Sequence, residues 1–228
     1  MNLTVIIPTI FRPVCCITIV DAWLHYFSDV AIIVVDSGET PELSYSLKKS
    51  QYKNVNYIST NFDVGLAKAR NIGKNLAETD YLFFNDDDNL PPTKTLINLL
   101  LDLIEKNDID ILGPKPKNLN IYNNTLHIKK QPRTYIKCDM VANHFLCKNL
   151  QSLNWDENIK FAYEHWDFFL MTKKNNLNIY SHPSIQLKPL SFRYSSKKYM
   201  QHRQFHINNL SNKNYFYNKW QIKKISHE

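Results

Sequence analysis

Along the first half of the chain, short apolar runs alternate with segments whose apolar residues recur at helical spacing. Leu3–Ile7, Val30–Val35, Val55–Ile58, Tyr81–Phe84 and Asp110–Leu112 read as strands. Val14–Tyr26, Val64–Leu76 and Thr93–Lys106 read as helices, the first following Arg12-Pro13 and the last following Pro91-Pro92. The strands are continuously apolar rather than alternating. That pattern predicts an α/β fold with a mostly parallel central sheet and helices on both faces. Functional groups in such sheets gather beyond the C-terminal strand ends. Pro8-Thr9, Asp36-Ser37 and Asp86-Asp87-Asp88 all fall there, so three polar clusters are expected to meet in one crevice.

The second half is less regular. Residues 115–137 are basic and Asn-rich and predict hairpins or a mobile loop. Cys138–Lys148 and Ile179–Leu187 read as strands, and Tyr163–Lys174 as a helix with acids in its first turns. No repeat or low-complexity linker divides the chain. We therefore expect one domain over 1–190, with a break in role near 115 (1–114 and 115–190), and a C-terminal helical extension over 191–228.

The length of 228 residues fits that single core. No apolar run approaches the ~20 residues that span a bilayer, and MNLTVIIPTI enters a strand at once, so no signal peptide is expected. Cys15, Cys16, Cys138 and Cys147 show no zinc spacing and read as buried or semi-buried thiols of a reducing cytoplasm. The net charge of +7 points to an anionic partner. Much of it lies between Arg193 and Lys224, interleaved with Tyr194, Tyr199, Phe205, Tyr215, Phe216, Tyr217 and Trp220. Such a tail suits peripheral contact with the inner face of a membrane, or simple packing of its aromatics on the body.

A dinucleotide fold would place Gly-x-Gly-x-x-Gly after the first strand. Here that position reads PTIFRP, and the chain has only four glycines, Gly38, Gly65, Gly73 and Gly113. A phosphate must be held by other means. YLFFNDDDN offers one: Asp86 and Asp88 project to the same side of an extended segment and suit one divalent cation, with Asp87 turned away from it. Alone, the triplet reads equally well as a solvated turn before Pro91-Pro92.

TVIIPTIFRP, IIVVDSG, NFDVGLAKARNIG and YLFFNDDDN, in that order, resemble the nucleotide-binding half of a GT-A (Rossmann-like) glycosyltransferase of family 2. The resemblance runs over roughly residues 3–190. CDMVANHFLCKNLQSLNWDENIKFAYEHWDFFL is similar to the acceptor half of ganglioside-type β-1,4-N-acetylgalactosaminyltransferases. The resemblance implies an inverting transferase that moves a sugar from a nucleotide sugar to a glycan or lipid-linked acceptor. The donor would be a UDP-sugar, with UDP-GalNAc or a related hexose or HexNAc as candidates. It maps the nucleotide-sugar contacts to Pro8, Thr9, Arg12, Asp36, Ser37, Gly65, Lys68, Arg70, Asn71, Asp86, Asp87 and Lys188. Mn²⁺ or Mg²⁺ would sit on Asp86 and Asp88, with His182 as a further candidate ligand.

Where family 2 commonly shows Glu-Asp-x-Asp, this chain reads Glu164-His165-Trp166-Asp167, so the general base departs from the pattern. The resemblance ranks Asp167 first, Glu164 second and His165 third. Two other readings stay open: a nucleotidyltransferase, for which PTIFRP lacks the glycine-rich basic loop, and a non-catalytic sugar- or nucleic-acid-binding module. For the transferase no nucleic-acid partner is expected.

Overall fold

A computed structural model describes residues 1–190 and 196–228. Strands β1 (Leu3–Thr9), β2 (Ala31–Asp36), β3 (Val55–Ser59), β4 (Tyr81–Asn85), β5 (Ile111–Gly113), β8 (Ile136–Lys137), β9 (His144–Lys148) and β10 (Ile179–Ser181) form one sheet, in the order β3-β2-β1-β4-β9-β5-β10-β8. β1 to β5 and β10 run one way, and β8 and β9 run against them. The mostly parallel α/β sheet expected from the apolar runs is present.

The double-sided burial of the strands follows from their period of two. In β1, Leu3, Val5 and Ile7 enter one apolar cluster and Ile6 enters the other. β4 divides in the same way, with Phe83 on the first side and Leu82 and Phe84 on the second. The first cluster is closed by α1 (Pro13–Tyr26), α2 (Pro41–Leu47) and α4 (Lys94–Lys106), which supply Ile19, Trp23, Leu43, Ile97 and Leu100. The second face carries α3 (Leu66–Asn75) and α5 (Glu164–Lys174). Gly73 lets α3 lie close to β1, since a Cβ there would sit 2.4 Å from Ile6 Cγ2.

β6 (Lys117–Tyr122), β7 (Thr125–Lys130) and β11 (Lys224–His227) make a second, three-stranded sheet. β6 and β7 form an antiparallel hairpin whose connecting residues, Asn123 and Asn124, both have positive φ, 48° and 54°. Paired left-handed residues give the turn whose twist suits a hairpin, and Asn tolerates it. β11 adds to β7 in parallel. α6 (Lys197–Asn208) and α7 (Leu210–Lys219) precede it, so the C-terminal segment ends in a strand rather than being helical throughout. Arg193 and Tyr194 of the basic aromatic tail lie outside the described residues, as does the start of the expected extension. Among its other aromatics, Phe216 is fully buried in the second cluster, while Phe205 is exposed.

Two strands are shorter than the apolar runs suggest. Residues 138–143 bend before β9, with Lys117 donating its backbone N–H to the Met140 carbonyl. β10 stops at Ser181 because His182-Pro183 opens a turn that Ser184 N–H closes on His182 Nδ1. α2 was not anticipated; Pro41 in its first turn pre-sets it. Among the described residues no helix is long and apolar enough to cross a membrane. All four cysteines are buried.

Candidate active site

The parallel register places Thr9 beside Asp36, and β4 ends next to β1 at Asn85. Beyond these ends lies a cavity of about 480 Å³. Pro8, Thr9, Arg12, Ser37, Gly65, Asp86, Asp87, Asp88, Glu164 and His165 all line it. Of the residues expected to converge from the strand ends, Pro8, Thr9, Ser37 and Asp86 to Asp88 meet there and Asp36 does not.

The Asp86-Asp87-Asp88 turn is held from beneath and from both sides. Asn85 donates through Nδ2 to the carbonyls of Asp86 (2.6 Å) and Asn89 (2.8 Å), and its own Oδ1 accepts from Trp23 Nε1 at 3.2 Å. Leu190 N–H donates to the Asp88 carbonyl at 2.6 Å, and Leu90 N–H to the Lys188 carbonyl at 3.1 Å. Lys188 thus supports the turn through its backbone; its side chain is exposed and does not line the cavity.

Asp87 is not an idle spacer. It is buried, accepts from Thr9 Oγ1 at 2.6 Å, and pairs with Arg12 Nη1 at 2.9 Å. Arg12 Nη2 pairs with Asp88 at 2.8 Å, and the guanidinium stacks 4.4 Å from the centre of the Tyr199 ring on α6. Arg12 therefore ties the aspartate turn to the C-terminal segment.

Arg70 performs the matching task on the other side. Its side chain is almost fully buried and lies 3.3 Å from Asp86 and 3.4 Å from Glu164. It sits behind these acids instead of lining the cavity, with its guanidinium 5.4 Å from the Trp155 ring centre. Burial pushes the Asp86 carboxyl up to about 6 against the pull of Arg70. Burial raises Asp87 against Arg12 and Thr9, and Glu164 against Arg70.

Of the three candidate bases, Glu164 and His165 face the cavity and Asp167 does not. Glu164 is 4% exposed, and its Oε2 has no hydrogen-bond partner among the described residues. His165 lies 2.7 Å through Nε2 from the Val141 carbonyl, which can only accept, so Nε2 carries the hydrogen. Burial and the nearby Arg70 hold His165 neutral, lowering it to about 3. Asp167, ranked first from sequence, is turned onto α7: it accepts from Lys219 Nζ at 2.9 Å and Trp220 Nε1 at 2.8 Å. Helical period alone would keep 164 and 167 on one face; packing of α7, which brings Lys219 and Trp220 onto Asp167, separates their roles.

The remaining expected contacts are structural in their placement. Asp36 is fully buried and accepts from Gly38 N–H (2.8 Å), Thr40 N–H (3.1 Å) and Tyr57 OH (2.9 Å), so it organises the turn after β2. Asn71 bonds both the N–H and the carbonyl of Trp155 at 2.9 Å, fastening the 154–157 loop to α3. Lys68 is exposed, 3.7 Å from Glu157. His182, also outside the cavity lining, accepts from Ser184 N–H. Gly65 has φ of 89° and caps α3 where a Cβ would meet Lys160 at 2.8 Å.

The cavity also recruits residues that the strand-end argument missed: Asp63, Lys117, Lys160, Tyr199, His202, Arg203 and His206. Tyr199, His202, Arg203 and His206 come from α6, which packs on the loops after β1 and β3. Their basic and aromatic character was readable in the sequence; their destination was not.

The glycosyl transferase family 2 model matches residues 4–176, well over half of the chain. The chain belongs to glycosyl transferase family 2. It is 30% identical over 111 residues to mouse (Mus musculus) beta-1,4 N-acetylgalactosaminyltransferase 2, which covers 48% of this chain and 20% of the relative. It is 26% identical over 195 residues to the hyaluronan synthase of Pasteurella multocida, covering 80% of this chain and 18% of the relative. The family 2 chain therefore spans a fifth or less of these curated relatives. Its fold matches S. aureus TarS 1–349 in complex with UDP, with a TM-score of 0.64 and 17% identity over 92% of this chain and 66% of that one. The complex of the same protein with UDP-GlcNAc gives 0.63 at 16% identity, over 92% of this chain and 67% of that one. The GT-A expectation for the sheet is met.

Proposed function

We propose that this family 2 glycosyltransferase moves a sugar from a uridine diphosphate donor to a glycan or lipid-linked acceptor with inversion, Glu164 acting as the general base. The observation that carries the assignment is the shared cavity: Glu164 meets the aspartate turn there, with one buried carboxylate oxygen unpartnered, while Asp167 is committed to Lys219 and Trp220. A base for an incoming hydroxyl needs such an oxygen, and a carboxylate raised by burial is better matched to neutral pH than an exposed one. The UDP and UDP-GlcNAc complexes of TarS support a uridine donor, and the mouse relative's name supports an N-acetylhexosamine among the sugars to test.

Asp86 and Asp88 would hold Mg²⁺ or Mn²⁺, which prefer all-oxygen ligands. The electrostatics fit: among the described residues, the four carboxylates of Asp86, Asp87, Asp88 and Glu164 are paired with two guanidiniums, Arg12 and Arg70. A cation there would offset charge on the departing diphosphate. Lys117, Lys160 and Arg203 also line the cavity and would add positive charge around it. Arg70 holds Glu164 and Asp86 in one frame, so the base and the metal-side carboxylate keep a fixed separation. His165, neutral and anchored on Val141, shapes the acceptor side.

The test is a donor screen that monitors UDP release with and without Mn²⁺, repeated on Asp88→Ala. Release from at least one UDP-sugar, lost in the variant, supports the reading. No release and no UDP binding in either condition would overturn it.

A further inference from the structure

Three side chains at the cavity rim are arranged as metal ligands without involving the aspartate turn. His202 and His206 stand four residues apart on one face of α6. Their Nε2 atoms lie 3.2 Å from each other. Asp63, in the loop after β3, places Oδ1 3.3 Å from His202 Nε2 and Oδ2 3.0 Å from His206 Nε2.

The spacing carries the argument. Four-coordinate Zn²⁺ takes ligands at about 2.0–2.1 Å, which sets ligand atoms roughly 3.3–3.4 Å apart on a tetrahedron. The Nε2–Nε2 edge is 3.2 Å, each nitrogen has its own Asp63 oxygen at 3.3 or 3.0 Å, and one ligand atom from each residue lies within 4.8 Å of the other two. A hydrogen-bonded reading satisfies the group less well. Asp63 can accept from both rings only if two ring N–H groups point together across 3.2 Å. A cation between them accepts all three lone pairs.

The surroundings fix these groups. Phe11 and Phe62 pack edge-on against His202, at 5.7 and 6.2 Å between ring centres, and Phe161 lies 5.7 Å from His206. Asp63 sits at φ 51°, its N–H donating to the Ser37 carbonyl at 2.9 Å and its carbonyl accepting from Lys160 Nζ at 3.0 Å. His206 is 4% exposed.

We infer that Asp63, His202 and His206 form a second divalent-metal site, of the borderline transition type that Zn²⁺ occupies, distinct from the Asp86–Asp88 pair. The mixed nitrogen and oxygen donors select such an ion over Mg²⁺. All three ligands line the cavity, so the fourth position opens into it, for water or an anionic group of a bound ligand. The ion would bolt α6, and with it Tyr199 over Arg12, across the strand-end loops.

Untagged, chelator-stripped protein is titrated with Co²⁺ and followed by visible absorption, with Zn²⁺ competition by calorimetry. Expected is a single equivalent with the intense bands of four-coordinate Co²⁺, displaced by Zn²⁺ and retained in an Asp86→Asn, Asp88→Asn variant. His202→Gln and Asp63→Asn, each checked for native circular dichroism, should bind more than ~100-fold more weakly, beyond what loss of an outer-shell partner costs. Two results overturn the inference: no four-coordinate signal from the parent protein, or an unchanged signal in both ligand variants.

Discussion

Replacing Arg70 by Met removes the guanidinium that Asp86 and Glu164 share while keeping much of the side chain's bulk against Trp155. Stripping one partner from a buried ion pair costs about 3–5 kcal/mol because the other charge is left uncompensated. Two features place this case at the lower end. The contacts are long, 3.3 and 3.4 Å, against about 2.7–2.9 Å for strong charged hydrogen bonds. The Asp86 side chain is also 33% exposed and can recover water, whereas Glu164, at 4%, cannot. A loss of about 3 kcal/mol follows, which in a domain of this size lowers the melting midpoint by ~6–12 °C. The pH dependence gives the signature. Arg70 pulls both carboxyls down against burial, so its removal raises them further. A carboxyl raised above its unfolded value gives its full stabilisation below that unfolded value and loses it as pH rises through the folded one. The gap between parent and Arg70→Met therefore widens from pH 5 to pH 8, as read by urea unfolding at both. Arg70→Lys, which keeps a charge, should show a smaller gap. A gap below ~1 kcal/mol, or one equal at both pH values, would show that Arg70 does not hold these carboxyls down.

Other outcomes follow from the same contacts. Gly73→Ala forces a methyl into Ile6 and should cost about 1–3 kcal/mol by overpacking, read as a lower unfolding midpoint in urea. Tyr199→Ala removes the ring over Arg12 and should weaken donor binding by roughly 0.5–2 kcal/mol, measured as a higher Kd for UDP with the fold intact. Because burial raises Glu164, the acid limb of the kcat/KM profile should fall at higher pH than an exposed carboxylate would give; a limb at the ordinary glutamate value would argue against it as base.

The crevice was legible because it depends on local signals. Apolar runs end at Thr9, Asp36 and Asn85, and a parallel sheet brings such ends together. Strand alternation did not apply to the aspartates: β4 ends at Asn85, residues 86–88 form a turn, and Asp87, expected to face away, lines the cavity with Asp86 and Asp88 because Arg12 and Thr9 reach it from another strand end. Asp36 carried the right position with its carboxylate spent on its own turn. Asp167 was misplaced because α7 covers its side of α5, a packing that the intervening sequence does not encode locally. The same holds for α6. The four-residue spacing of His202 and His206 was visible, yet only the packing of α6 on the strand-end loops brings them to Asp63.

Glu164, not Asp167, is the proposed acceptor of the incoming hydroxyl's proton. The most direct measurement is single-turnover sugar transfer by Glu164→Gln and Asp167→Asn under saturating donor. Expected are a rate at least ~10²-fold lower for Glu164→Gln, with the Kd for UDP unchanged, and a rate within a few-fold of the parent for Asp167→Asn. Full transfer by Glu164→Gln together with loss in a folded Asp167→Asn would contradict that assignment.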